Sequence, residues 1–141
     1  MSKFRIMFGI LFALILYCQA FLTRTQLLKL HTHFEQCNAE FNVSSNLHFE
    51  EHAEHLDLSL AGPMFFKVLV CVHRRANFTD VNGDLIVPNM VEFLREDHNV
   101  SGFPAQISKC VSHTGSPEEK MRALYTCASK LSSSPRNETF F

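Results

Sequence analysis

Five cysteines are scattered through 141 residues, and their placement restricts the fold more than any other feature. Cys18 stands in an apolar leader: Lys3 and Arg5 form a basic start, "IMFGILFALILY" follows, and "CQA" puts Cys18 and Ala20 where a cleavage site wants small residues. The arrangement reads as a secretory signal peptide, residues 1–20. A short membrane anchor is the other reading, but the run is under the about 18 residues that a span requires, and no basic cluster follows it. The remaining chain, 21–141, keeps Cys37, Cys71, Cys110 and Cys127. An even set in a small exported domain reads as two disulfides. No pair is spaced CxxC, so neither a zinc ribbon nor a thioredoxin-type site is indicated.

Charge excludes one class of partner. Losing Lys3 and Arg5 from the 13 Lys and Arg leaves 11 against 14 Asp and Glu, a net charge of −3. A nucleic-acid partner would call for a clustered positive surface, which is absent from this pattern. Four Asn-x-Ser/Thr sequons, at Asn42, Asn77, Asn99 and Asn137, are compatible with secretion and N-glycosylation.

Apolar residues recur with helical spacing along the whole mature chain. Leu27, Leu30, Phe34, Cys37 and Phe41 mark one face of a helix over about 22–40. In "SSNLHFEEHAEHLDLSLAG", Ser45 is a candidate N-cap, Glu50 and Glu51 suit the positive helix end, and Phe49, Ala53, Leu56 and Leu60 make a stripe closed by Gly62. Pro63 opens a third helix over 63–75, with Arg74 and Arg75 at its negative end. "NFTDVNGD" is a turn-rich loop, tightest at Asn82-Gly83. Pro88 begins a short helix carrying Met90, Val91 and Leu94, and Pro104 one carrying Ile107, Cys110 and Val111. "GSPEEK" signals a last helix, with Ser116 as cap, Pro117 at its first position and Met121, Leu124, Ala128 and Leu131 inward. No strand alternation appears. The expectation is an all-α domain over 21–131 and a tail over 132–141.

This pattern resembles the insect odorant-binding proteins, the pheromone- and general-odorant-binding fold of six helices. That family has six cysteines, with three residues between the second and third and eight between the fifth and sixth. Cys37, Cys71, Cys110 and Cys127 match the first, third, fourth and sixth. Counting back puts the second at Lys67 and the fifth at Glu118, so two partners are absent together. The chain is therefore similar to the minus-C members, and the family's pairing implies Cys37–Cys71 and Cys110–Cys127. Lys67 lies inside "MFFKVLVCVHRR", an apolar run in which an ammonium needs a reason. One reading is an ion pair with Glu118 in place of the lost bond; the other is that each charge reaches solvent along its own stem.

The resemblance implies a six-helix, disulfide-linked bundle enclosing an apolar cavity, a non-enzymatic carrier of a small hydrophobic ligand such as an odorant, pheromone or lipid-like molecule. It needs no cofactor and no metal, and works as a monomer or weak homodimer, with a membrane receptor as a further partner. Phe34, Met64, Phe65, Val68, Met90, Leu94, Phe103, Ile107, Leu124 and Tyr125 are the expected wall, Tyr125 offering a polar handle for a carbonyl or hydroxyl. Phe140 and Phe141 either fold back over the mouth or fray. The rival from another class is a secreted helical signalling or reproductive-fluid protein acting through its surface. His48, His52 and His55 share one helix face, read as solvated, as a pH-responsive patch or as a surface metal site.

Overall fold

The computed structural model describes residues 23–95 and 102–132, apart from the side chains of Phe103 and Ser132. The expected leader, the sequons at Asn99 and Asn137, and Phe140 and Phe141 lie outside these residues. Within them the chain forms six α-helices: α1 (Arg24–Glu40), α2 (Phe49–Glu54), α3 (Pro63–Arg75), α4 (Val87–Arg95), α5 (Phe103–Ser108) and α6 (Pro117–Ser132). A short 3-10 helix spans Ser45–Leu47, and an isolated antiparallel bridge joins Thr79 to Leu85. Disulfides tie Cys37 of α1 to Cys71 of α3, and Cys110, just past α5, to Cys127 of α6.

Helix α3 is the centre of the packing. Gly62 caps it in extended conformation, Pro63 pre-sets its first turn, and His73, Arg74 and Arg75 stand at its negative end. Phe65, Phe66, Val68, Leu69, Val70, Val72 and His73 are all buried, because α1 covers one side and α6 another. Each such apolar side chain contributes about 1.5–3 kcal/mol through burial.

The entry to α1 has a second task. Thr23 and Gln26 form a capping box: the Gln26 N–H donates to Thr23 Oγ1 at 3.3 Å, and the Thr23 N–H donates to Gln26 Oε1 at 3.0 Å. The Gln26 side chain is fully buried, and its amide donates to the Phe93 and Leu94 carbonyls, both at 3.3 Å. These carbonyls belong to α4. One glutamine thus starts one helix and ties it to another.

The loop between α3 and α4 is locked to the start of α6. Asp80 Oδ1 accepts from the Asn82 and Asp84 N–H groups at 2.8 and 3.0 Å. Gly83 has φ +80°, and a Cβ there would lie 2.7 Å from Pro117 Cα. The buried Lys120 ammonium donates to the Asn82 carbonyl at 3.0 Å and to Asp84 Oδ1 at 2.9 Å. On the same helix, Ser116 and Glu119 make the capping box that "GSPEEK" foretells.

The second helix is far shorter than its apolar spacing implies. It ends at Glu54, and Leu60, expected in the buried stripe, is 59% exposed. Leu56 turns left-handed, with φ 51°, and the Asp57 N–H returns to the His52 carbonyl at 2.8 Å, a Schellman-type stop without glycine. Asp57 secures it by accepting from the Ser59 N–H and pairing with His52 Nδ1 at 2.9 Å. His48, also left-handed, precedes α2, and the cap of the preceding 3-10 helix is Ser44, not Ser45. Gly62 opens α3 and does not close α2.

Lys67 is exposed, and its ammonium sits 4.9 Å from the centroid of the Phe41 ring. No ion pair joins it to Glu118, contrary to the first expectation. An ammonium over a ring face gains cation–π attraction while its stem covers apolar surface, and an exposed ion pair would return no more.

Gln26→Ala should lower unfolding free energy by about 2 kcal/mol, since a cap and two hydrogen bonds to α4 are lost; urea titration followed by circular dichroism measures it. A double-mutant cycle on Lys67→Ala and Phe41→Leu should give a coupling of about 0.5 kcal/mol, whereas Lys67→Ala and Glu118→Ala should be additive.

Candidate functional site

Six helices cannot all close-pack when three are only six to nine residues long, and a cavity remains between them. Its volume is about 100 Å³. Every helix contributes wall. Leu27, Leu30 and Phe34 come from α1, Ala53 from α2, Val72 and His73 from α3, Met90, Phe93 and Leu94 from α4, Ile107 from α5, and Leu124, Tyr125 and Ala128 from α6. Leu56 and Phe78 complete it from loops, and Glu50 and Glu54 bring carboxylates to it from α2.

Of the ten wall residues expected from sequence, Phe34, Met90, Leu94, Ile107, Leu124 and Tyr125 line this space. Phe65 and Val68 are buried in solid core instead, and Met64 is 41% exposed. The reason is the direction of α3, which turns its last residues to the cavity and its first half into α1 and α6. The Phe103 side chain lies outside the description. Sequence reasoning missed Leu27 and Leu30, although they share the Phe34 stripe, and it missed His73, which looked like part of a basic helix end.

His73 is the unusual member. It is 7% exposed, and its Nε2 lies 3.1 Å from the Tyr125 hydroxyl, while Nδ1 is buried with no hydrogen-bond partner. Phe78 and Tyr125 pack edge-on to its ring, each 5.8 Å between centroids. Burial pushes the imidazole down to about 4, so it is neutral at physiological pH, and the same burial pushes the Tyr125 phenol upward.

Four other histidines, His31, His48, His52 and His55, have surface partners. His31 Nδ1 meets Glu50 Oε2 at 2.8 Å and Nε2 meets Glu35 Oε1 at 3.1 Å; Glu50 above all holds its imidazole above the usual range. His52 pairs with Asp57, His55 Nδ1 lies 2.8 Å from the Glu51 carbonyl, and His48 is 3.8 Å from Glu51. Among the described residues no group of three His, Cys, Asp or Glu side chains is placed to hold a metal ion. Asn42 and Asn77 are exposed at left-handed turn positions.

The unfolded chain protonates His73 near 6.5 and the native one only near 4. Stability should therefore fall as pH drops through that window, by about 3 kcal/mol in all, and level off below it. Chemical denaturation at stepped pH checks this, and His73→Gln should remove most of the slope. His31 acts oppositely, its contribution being lost as pH rises through its raised value, but it is half exposed and the effect is small.

A protein-family model described as "PBP/GOBP family" matches residues 19–130. No curated protein and no solved structure matches the chain.

Proposed function

The chain belongs to the PBP/GOBP family, the insect odorant-binding proteins, which are non-enzymatic carriers of small ligands; from that premise we propose that it is a secreted carrier holding one small, mostly apolar molecule in the cavity between its helices. The observation that carries this reading is the cavity itself, walled by all six helices and apolar except at His73, Tyr125, Glu50 and Glu54. A signalling protein that worked through its surface would have no use for such a cavity, whose wall forgoes packing contacts.

Affinity comes from removing ligand surface from water, about 25 cal/mol per Å². Met90 gives the wall an adaptable face, and Phe34, Phe78 and Phe93 a rigid one. The leader over 1–20 directs export, residues 21–131 make the binding unit, and Asn42 and Asn77 are open to glycosylation. No helix among the described residues is long and apolar enough to cross a membrane.

The test is displacement of an apolar dye such as phenylnaphthylamine by small volatile molecules. Ala128 faces the cavity from α6, so Ala128→Phe should fill it and weaken dye binding by about tenfold or more, while changing stability by less than about 1.5 kcal/mol. Dye binding that survives this substitution undiminished would place the ligand elsewhere.

A further inference from the structure

We propose that the guest carries a hydrogen-bond acceptor as its polar group, a ketone or ester carbonyl on an apolar chain, and that His73 enforces this by turning the Tyr125 hydroxyl proton towards the cavity. This rests on the carrier reading above and narrows it.

The argument turns on where one proton sits. A neutral imidazole has one N–H and one lone pair, and a hydroxyl can give or take. In one arrangement Tyr125 donates to His73 Nε2; Nδ1 then carries the ring proton, and that N–H is buried with nothing to receive it. In the other, His73 Nε2–H donates to the Tyr125 oxygen; Nδ1 then holds only a lone pair, and the phenol proton is free. Orphaned buried N–H groups are rare, whereas under-satisfied acceptors are tolerated more often. The second arrangement follows. Its free O–H belongs to a half-buried residue that lines the cavity, where the acceptor of a guest can receive it in place of water.

The remaining polar wall does not compete. Glu50 already receives His31, and both Glu50 and Glu54 are partly exposed, so water hydrates their carboxylates. A carbonyl oxygen, which only accepts, finds its donor among the described wall residues at Tyr125. His73 touches the guest through Tyr125 and is a positioning residue.

The test compares a nonanone, nonanol and decane as competitors for phenylnaphthylamine on the wild-type protein and on Tyr125→Phe, alongside the ring nitrogen chemical shifts of His73. The nonanone and nonanol should bind about tenfold more tightly than decane, the margin of one hydrogen bond, and in Tyr125→Phe the ratio should fall to about one. The shifts should show Nε2 protonated and Nδ1 bare. A nonanone no tighter than decane while nonanol is favoured, or a proton on Nδ1, overturns the inference and leaves the carrier reading standing. Failure of all three to displace the dye overturns both.

Discussion

The bond between Cys37 and Cys71 fixes the most buried of the described helices against one that covers it. Closing a loop of 34 residues, it contributes about 3–4 kcal/mol. The bond between Cys110 and Cys127 closes 17 and contributes about 3 kcal/mol. The first bond ties α1 to α3 and the second ties the end of α5 to α6, while α3 meets α6 through packing. Covalent ties at these two places oppose closing of the cavity, whose wall forgoes packing contacts worth on the order of 2 kcal/mol for about 100 Å³.

The helices were legible wherever a local signal marks both ends. Pro63 and Arg74-Arg75 bracket α3, and Ser116, Pro117 and Glu119 start α6, in agreement with the structure. The second helix was misjudged because its limits are two non-glycine residues, His48 and Leu56, in left-handed conformation, which no residue preference announces. Periodicity then carried the stripe on to Leu60. The wall of the cavity was half legible for a related reason. Spacing shows that Phe34, Leu94 and Leu124 face inward, but whether an inward residue meets core or void depends on helix directions. His73 and Lys120 were not legible at all, since each is polar, is explained by partners 52 and 36 residues away, and sits where a solvated side chain would look the same; the bond of Gln26 to α4, 68 residues away, was equally hidden.

Where the resemblance puts one more cysteine pair, at Lys67 and Glu118, no direct substitute forms. The contact of α3 with α6 rests on packing instead. Arg122 lies over the Phe66 ring at 4.6 Å, Phe65 meets Tyr125 edge-on, and Tyr125 joins His73. Non-covalent contacts of this kind adapt more readily than a bond, and two of the residues that make them, His73 and Tyr125, also border the cavity. The side chains that join α3 to α6 are here part of the cavity wall as well.

The lock between Gly83, Lys120 and Pro117 bears on how this scaffold tolerates length changes. Surface turns usually accept inserted residues, and "NFTDVNGD" has the polar, turn-rich look of an ideal place to add them. Here one extra residue would carry the Asn82 carbonyl and Asp84 away from a buried ammonium and leave that charge stranded at the start of α6. The segment joining α2 to α3 is the better place for a grafted tag, because Ser59 and Leu60 are exposed and the Leu60 side chain supports nothing inside.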